Sequence, residues 1–370
     1  MSVTETTLHW RRLKSALGRG RLVQLISDLS AGDAVSDDAI SWQRLLSRVG
    51  VDAPIYGRTI VPGHGARAWP LHRLRLESSD VLILHYSVWS EAAALVASMR
   101  RPTVLAYHNV TPPEFFAQFE PAMVAETSRG RAALPSLADL CPLAIARSEF
   151  SARDLHAAGF VDVRTLPIVL PDEAMADRGE RVASPATLLY AGRVAPHKRV
   201  EDLLAILAYC RRARTDVTLA VVGAFDAASE YYRALHRCAF RLGVHTGVRF
   251  AGKVSRARFV AEYRSARIFV TMSEHEGFGV PLLEALRVDL PIVARAAGAI
   301  PEIVGDAGIL LEGRRPDIAA EIILEILADS SLQQRMIERG KVRAAFYSAD
   351  EVLPCLASLL TDGIEATRRR

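Results

Sequence analysis

The chain has 370 residues, half of them hydrophobic and about a quarter charged, which is typical of a folded protein with room for two hydrophobic cores. Its formal net charge of +4 is far from the strongly basic field of a nucleic-acid-binding protein, and we expect no nucleic-acid partner. A small positive net charge of this kind is compatible with an anionic small substrate or an anionic membrane surface. A chance surplus of arginine explains it equally well.

The cysteines and the N-terminus indicate a cytoplasmic protein. Cys141, Cys210, Cys238 and Cys355 are scattered and form no CxxC pair, which predicts reduced thiols. The N-terminus carries charges and lacks the apolar core of a secretory signal, and no run approaches ~18 apolar residues.

Apolar runs typical of strands alternate with helix-like segments along the whole chain. In the first half the predicted strands are residues 22–27, 53–57, 80–86, 102–108, 143–148 and 163–169. In the second half they are residues 187–192, 217–223, 248–252, 267–273, 291–296 and 308–313. The helix-like segments include residues 199–213, 228–242 and 316–344. This alternation favours parallel sheets covered by helices on both faces.

A polar segment with two prolines, residues 169–186, interrupts the alternation and separates two sets of strands. We therefore predict two doubly wound α/β domains, at residues 1–172 and 187–345, joined by a linker at 173–186. Residues 346–370 are expected to form a C-terminal helix that packs back on the N-terminal domain.

Several polar residues of the first half lie where predicted strands end. Gly32 and Asp33 follow the first strand, His85 lies at the end of the third, and His108 and Asn109 follow the fourth. In parallel sheets ligands bind beyond these carboxyl ends, so we regard the five residues as candidates. Asp33 is equally compatible with a helix cap, and a lone histidine such as His85 is more often structural.

In the second half, Arg193 and Lys198 follow the first predicted strand, and Glu276 follows the fourth. The two cations are candidates for an anion site, although lysine and arginine are also common on solvated surfaces.

The stretch EGFGVPLLEAL, residues 276–286, predicts a helix that begins at a glycine-rich turn, with Gly279 as N-cap and Pro281 in the first turn. Such a helix start attracts anions through its amide groups and its dipole. Together with Arg193 and Lys198 it can hold a diphosphate without a metal. No DxD pair or His/Asp cluster in the sequence calls for a divalent ion.

The carboxylates around this turn need another ligand, because they repel phosphate. A carboxylate accepts several hydrogen bonds and suits vicinal hydroxyls. Glu284, one turn into the helix, fits a ribose diol, and Glu276 fits sugar hydroxyls on the other side of the phosphates. The spacing predicts a nucleotide sugar across the helix start, with a capping acid and an unrelated surface glutamate as the alternative.

The segments YAGRVAPHK, VRFAGKVS, SEHEGFGVPLLEAL and PIVARAAGAIPEIVGDAGILL resemble the C-terminal nucleotide-sugar domain of family-4 glycosyltransferases. The segments SAGDAVSDD, DVLILHYS and YHNVTPPEFF resemble the N-terminal domain of a subset of that family. The resemblance covers roughly residues 22–345. It implies the GT-B fold, in which two Rossmann-like domains face each other across a cleft, with the acceptor on the N-terminal side.

The resemblance also implies a function. Family-4 enzymes are retaining, metal-independent transferases that move a hexosyl unit from a GDP- or UDP-sugar to an acceptor hydroxyl, with no further cofactor. We therefore expect a role in polysaccharide, glycan or glycolipid synthesis, with a glycan or lipid-linked sugar as acceptor.

The donor-side roles transfer residue by residue. The resemblance assigns the diphosphate to Arg193 and Lys198 and the ribose to Glu284. The donor sugar would face Glu276 and the backbone that follows it, and the base would lie near a second segment. These positions are Gly277, Phe278, Gly279 and Val280 for the sugar, and Lys253 and Val254 for the base.

On the other side of the predicted cleft, His108 matches a histidine near the reacting centre. The expected catalytic residues are therefore Glu276, His108, Lys198 and Arg193. Gly32, Asp33, His85 and Asn109 are expected on the acceptor side. The glycine-rich loop of the family is reduced here to the single Gly32, which leaves the acceptor side less defined.

Two other functions fit the same residues: a nucleotide-sugar epimerase of the same fold, and an inactive scaffold that binds sugar nucleotides. Residues 9–21 carry five arginines or lysines and no acid, and the chain ends in three arginines. These ends predict either peripheral contact with an anionic membrane, at the inner face of the plasma membrane, or a merely solvated terminus.

Overall fold

A computed structural model describes residues 3–30, 32–61, 65–170, 175 and 186–369, with side chains from residue 8 onward. The chain divides into two compact units. The first comprises Met1–Glu114, Ala122–Pro171 and Tyr347–Arg370, and the second comprises Phe115–Pro121 and Asp172–Phe346. The predicted linker at 173–186 lies outside the described residues, apart from Met175 and Ala186.

The first unit is built on a seven-stranded parallel sheet with the strand order β3-β2-β1-β4-β5-β6-β7. Its strands are β1 Leu22–Leu29, β2 Ile55–Ile60, β3 Ala68–Pro70, β4 Val81–Tyr86, β5 Thr103–Tyr107, β6 Leu143–Ala146 and β7 Val163–Thr165. The helices that connect them are α1 Val3–Leu17, α2 Ala34–Arg48, α3 Glu91–Met99, α4 Pro121–Ala138 and α5 Glu149–Ala157. Apolar clusters cover both faces of the sheet, as the near-continuous hydrophobic strands require.

The second unit has a six-stranded parallel sheet with the order β10-β9-β8-β11-β12-β13. Its strands are β8 Thr187–Ala191, β9 Thr218–Val222, β10 Val248–Gly252, β11 Ile268–Thr271, β12 Ile292–Arg295 and β13 Gly308–Leu311. Its helices are α6 Val200–Ala213, α7 Glu230–Arg241, α8 Arg256–Ser265, α9 Val280–Arg287, α10 Ile300–Val304, α11 Pro316–Ala328 and α12 Ser330–Ala345.

The last helix, α13 Ala349–Arg369, belongs to the first unit, where it packs on α1, β5 and β6. Gly363 lies at this contact. A Cβ atom added there would be 2.7 Å from a methyl group of Val104 and 3.2 Å from one of Leu143, so the helix approaches the sheet closely because this position has no side chain.

The expected fold class is confirmed, since both sheets are parallel, doubly wound and covered by helices. Every strand predicted from the sequence is present. The short edge strand β3 was missed because three residues carry no periodicity. The segment 316–344 forms two helices, α11 and α12, because the Asp329 carboxylate caps a new helix by accepting from the amides of Ser331 and Leu332.

Within the described residues, no helix combines the length and the apolar character needed to cross a membrane.

The contact of α13 leads to a stability prediction. Gly363→Val is expected to destabilise the first unit by about 1–3 kcal/mol, because the added side chain overpacks the contact with Val104 and Leu143. Glu365→Val is the matched control, since Glu365 is exposed on the same helix.

The measurement is the midpoint of thermal unfolding followed by tryptophan fluorescence. All four tryptophans, Trp10, Trp42, Trp69 and Trp89, lie in the first unit, so the signal reports its unfolding. An equal midpoint for Gly363→Val and Glu365→Val would contradict the close approach of α13.

Candidate active site

In each sheet the direction of strand addition reverses once, between β1 and β4 in the first unit and between β8 and β11 in the second. A reversal of this kind opens a crevice at the carboxyl ends of the two strands, which is where open parallel sheets bind ligands. The polar residues singled out in the sequence follow these strands or their neighbours.

In the second unit, the reversal brings Lys198 and Glu276 together. Lys198 ends a short 3₁₀ turn after β8, and Glu276 lies in the loop after β11. The Lys198 Nζ atom lies 2.7 Å from Glu276 Oε1, and the side chains are 16% and 18% exposed. Two residues predicted for one ligand therefore form an ion pair that a ligand can still reach.

The loop that carries Glu276 is held by backbone contacts. The Ala299 amide donates to the Glu276 carbonyl at 2.9 Å, and the Glu274 amide donates to the His197 carbonyl at 2.8 Å. Gly298 approaches Glu276 so closely that a Cβ atom there would lie 2.7 Å from both its amide nitrogen and its carbonyl oxygen. These contacts fix the backbone at Glu276, and the Lys198 ammonium group is the partner that its side chain meets.

Helix α9 begins directly after this loop. Gly279 is its N-cap in the left-handed region, at φ 96°, and no side chain of the described residues caps the helix start. Val280 is the first helical residue, Phe278 is buried, and Gly277 is half-buried. The positive end of the helix dipole favours an anion beside the Lys198 ammonium group.

Glu284, in the same helix, is 4% exposed and is oriented by two donors. The Tyr263 hydroxyl donates to its Oε2 atom at 2.9 Å, and Arg256 Nη1 donates to Oε1 at 3.3 Å. Burial and the nearby Glu284 carboxylate raise the pKa of Tyr263 well above its usual value, so the phenol remains a donor.

The other predicted donor-side residues are more exposed. Arg193 is 55% exposed and pairs with Glu120 at 3.0 Å. Lys253 is exposed and Val254 is half-buried, both after β10. The structure shows no hydrogen bond between these described residues and the Lys198–Glu276 pair.

The sequence did not predict the aromatic cluster that lies beside Lys198. His197 is buried against the rings of Phe115 and Phe116, with centroids 6.1 and 5.3 Å away. Burial, followed by the charges of Lys198 and its neighbours, lowers the pKa of His197 well below 6.5. His197 is therefore neutral, and Lys198 and Arg193 carry the positive charge of the segment that follows β8.

In the first unit, His85 and His108 form a hydrogen-bonded chain with Gln24. The Gln24 Nε2 group donates to the Ala53 carbonyl at 3.2 Å, which leaves Gln24 Oε1 as the acceptor that faces His85 Nε2 at 2.9 Å. His85 Nε2 therefore carries the proton, and His85 Nδ1 accepts from His108 Nε2 at 3.1 Å. It follows that neutral His108 is protonated on Nε2 and has its lone pair on Nδ1.

A buried ion pair lies beside this chain. Arg147 Nη2 lies 2.6 Å from Asp38 Oδ2, both side chains are inaccessible, and the guanidinium group also lies over the Trp42 ring at 4.7 Å. Burial raises the pKa of Asp38 to about 6, and Arg147 opposes that rise. Burial and Arg147 lower the pKa values of His85 and His108 well below 6.5, so both rings stay neutral.

Asp38, His85 and His108 also place three potential metal-ligand atoms within 4.8 Å of one another. The sequence does not reveal this cluster, because its members come from α2, β4 and the residue after β5. The His85–His108 hydrogen bond already uses two ring nitrogens, and Arg147 neutralises Asp38. A buried cation would add uncompensated charge next to Arg147, so the geometry favours the hydrogen-bonded arrangement.

The remaining N-terminal candidates have structural contacts. Asp33 is the N-cap of α2, accepting from the Ser36 amide at 3.0 Å and from its hydroxyl at 2.8 Å, and Gly32 precedes it at φ 75°. Asn109 has φ 73° and donates to Ser151 Oγ at 3.2 Å. Contact of these residues with an acceptor stays a prediction.

The sequence of the second unit matches a known family. Residues 173–343 match the family described as glycosyl transferases group 1. Over 189 residues the chain is 29% identical to a D-inositol 3-phosphate glycosyltransferase of Streptomyces avermitilis, which covers 49% of this chain and 41% of that protein. The chain thus spans less than half the length of this curated relative.

Solved structures are similar in fold over nearly the whole chain. The crystal structure of WaaG, a glycosyltransferase involved in lipopolysaccharide biosynthesis, superposes with a TM-score of 0.69 at 16% identity, covering 91% of this chain and 98% of that one. Anabaena Alr3699/HepE in complex with UDP and glucose gives a TM-score of 0.69 at 17% identity, covering 91% and 97%. The chain therefore shares its two Rossmann-like domains with GT-B glycosyltransferases.

The hydrogen-bonded chain predicts a defined tautomer for His108. Gln24→Met removes the acceptor that holds the His85 proton on Nε2, so His108 is expected to populate both tautomers. Long-range ¹⁵N–¹H correlation spectra of ¹⁵N-histidine-labelled protein distinguish them, and His108→Gln assigns the signal. Gln43→Met is the matched control, because Gln43 also donates to the Ala53 carbonyl without touching either histidine. An Nδ1–H tautomer of His108 in the unmodified protein would refute the derivation.

The same residues predict how stability depends on pH. The pKa values of His85 and His108 are lowered in the folded protein. Below pH 6.5 the unfolded chain therefore binds protons that the folded chain does not, and the free energy of unfolding decreases as the pH is lowered. Asp38, with its pKa raised to about 6, acts in the opposite direction and offsets part of the loss. Between about pH 6.5 and pH 5, the net decrease in the free energy of unfolding of the first unit is about 2 kcal/mol.

This loss is measured as the midpoint of tryptophan-detected thermal unfolding at a series of pH values. The decrease of the unfolding midpoint toward pH 5 should be smaller in His85→Gln, because this variant lacks one of the two histidines that resist protonation in the folded state. A midpoint that is flat over this range in the unmodified protein would show that the histidines are not held neutral.

Proposed function

We propose that this protein is a glycosyltransferase that moves a hexosyl unit from a GDP- or UDP-linked sugar to an acceptor hydroxyl. We propose further that the transfer retains the configuration of the sugar and needs no metal. The observation that carries the proposal is the Lys198–Glu276 pair, which lies at the strand reversal of the second sheet and at the start of α9.

The pair is suited to a ligand that is anionic at one end and rich in hydroxyls at the other. In the free protein Glu276 neutralises Lys198 at 2.7 Å. A diphosphate beside Lys198 takes over that role and frees Glu276 oxygens to accept from sugar hydroxyls. Arg193, which is half exposed, supplies a second cation, and the α9 amides supply a third source of positive potential.

Glu284 supplies the specificity for ribose in this proposal. Tyr263 and Arg256 hold its carboxylate in a fixed orientation, and a carboxylate suits a diol because each of its oxygens accepts more than one hydrogen bond. Lys253 and Val254, after β10, are proposed to line the base, mainly through backbone atoms.

The chemistry is the departure of the nucleoside diphosphate and attack by the acceptor on the same face of the sugar. Negative charge develops on the leaving phosphate, and preorganised donors such as Lys198 and Arg193 stabilise it; one such donor is worth about 3–4 kcal/mol. The leaving phosphate is proposed to take the proton of the acceptor hydroxyl. His108 is proposed to contact the donor sugar.

The acceptor is proposed to be a hydroxyl of a glycan or of a lipid-linked sugar, and peripheral contact with an anionic membrane belongs to this proposal. In α1, Trp10, Leu13 and Leu17 pack into the core of the first unit. Most apolar residues of the basic N-terminal helix are therefore buried in the protein and do not face a membrane.

The site assignment predicts the effect of two substitutions. Lys198→Ala and Glu276→Ala are each expected to reduce transfer on the order of 10²-fold or more, because each removes a group that stabilises the charged transition state or orients the sugar. Release of nucleoside diphosphate is measured with purified protein, an NDP-sugar and an acceptor. Lys341→Ala is the matched control, since Lys341 forms an exposed ion pair in α12 of the same unit.

The measurement begins with a panel of NDP-sugars whose slow hydrolysis identifies the donor. Treatment with a chelator should leave the rate unchanged if no metal takes part. Near-unmodified turnover in a folded Lys198→Ala or Glu276→Ala variant would refute the site. Conversion of the donor to its epimer without acceptor would indicate an epimerase, and donor binding without any turnover would indicate a scaffold.

A further inference from the structure

Helix α7 presents a row of arginines to solvent. Arg233, Arg237 and Arg241 are exposed and follow one another at four-residue intervals, so they lie one above another on one side of the helix. The opposite side is buried in the core of the second unit and consists of Tyr231, Leu235 and Ala239. The arginines therefore lie on the outward face of an anchored helix.

The charge of this region is not balanced by acids. Residues 231–261 contain seven arginines or lysines and no aspartate or glutamate, and the one acid of α7 is Glu230 at its first residue. Other arginines of this stretch pair with Glu262 or Glu284. Among the described residues, no ion pair involves the three arginines of α7.

Two apolar side chains border the arginines at the C-terminal end of the helix. Phe240 is 62% exposed and Leu242 is 39% exposed. The Phe240 ring stacks on His245, with centroids 4.3 Å apart, which holds the ring at the surface. Exposed apolar side chains beside a row of arginines suit a surface that is anionic outside and apolar below.

We infer that the α7 face, defined by Arg233, Arg237, Phe240, Arg241 and Leu242, docks on an anionic lipid bilayer. Anionic head groups match the arginines, and the layer beneath them accommodates Phe240 and Leu242. Both parts of the surface are used in this arrangement, whereas a soluble polyanion uses only the charges.

The basic N-terminal segment is the competing surface. Helix α1 exposes Arg11, Arg12, Lys14 and Leu8, and α13, which packs against it, carries the exposed acids Asp362 and Glu365 as well as the exposed Arg368 and Arg369. The α7 face has three exposed arginines in one row, two large exposed apolar side chains and one acid at its far end, whereas the described side chains of α1 include one such apolar residue, so the apolar area favours the α7 face.

The inference extends the proposed function by naming where a lipid-borne acceptor would be met. Docking is measured without donor or acceptor, so its failure leaves the transfer proposal intact. Loss of transfer to a soluble acceptor, in turn, says nothing against docking.

The test is co-sedimentation of the full chain with vesicles of phosphatidylcholine alone and of phosphatidylcholine mixed with phosphatidylglycerol. The protein should bind only the mixed vesicles. Arg237→Glu/Arg241→Glu should weaken binding at least about 10-fold, because each arginine near an anionic surface contributes roughly one kcal/mol. Arg11→Glu/Arg12→Glu is the matched control, with the same change in net charge at another exposed site, and should bind nearly as well as the unmodified protein.

Phe240→Ser separates docking from simple charge adsorption. It should weaken binding to mixed vesicles at raised salt, where the apolar contact persists and the electrostatic attraction is screened. Background binding of the unmodified protein, equal losses in the two double variants, loss confined to the α1 variant, or an unaffected Phe240→Ser variant would each overturn the inference. Retention on a soluble polyanion without binding to vesicles would overturn it as well.

Discussion

The hydrogen bonds between β8 and β11 are the constraint on which the candidate site depends. Ile268 and Phe269 of β11 pair with Leu188 and Leu189 of β8, although about 80 residues separate the strands along the chain. Because the strands are parallel, both carboxyl ends open on the same edge, and the loops that follow carry Lys198 and Glu276. A shift in this pairing would separate the ammonium group from the carboxylate and from the start of α9.

The first unit uses a different kind of constraint, a charge pair with no access to water. Removing Asp38 and Arg147 from water is costly, and their mutual attraction at 2.6 Å offsets that cost only if their remaining donors and acceptors are engaged. The pair also determines the charge of its surroundings, because Arg147 disfavours a second positive charge on His85 or His108. The histidines are thereby left neutral, and the amide of Gln24, anchored by a backbone carbonyl, determines which nitrogen carries the proton.

The two units differ in the kind of charge that each carries. Lys198 and Glu276 form a partly exposed ion pair that a ligand can reach, whereas His85 and His108 are neutral and buried. In the proposed function these roles correspond to phosphate binding and sugar recognition. The presence of acids around this helix start is compatible with the proposed anion site, because Glu276 pairs with Lys198 in the free protein and the Glu284 carboxylate accepts from Tyr263 and Arg256.

Features that depend on neighbouring residues were predictable from the sequence. Strand and helix periodicity predicted both sheets, and the turn from Glu276 to Gly279 predicted a helix start, because backbone conformation and dipole are properties of adjacent residues. The contacts of Gln24, Asp38, Arg147 and Gly298 were not predictable, since each joins segments distant in the chain and leaves no spacing to detect. The sequence by itself determined the fold class and the residue types of the candidate donor site. Only the tertiary structure decided which charges meet and which are neutral, because strand order sets their neighbours and burial sets their pKa values.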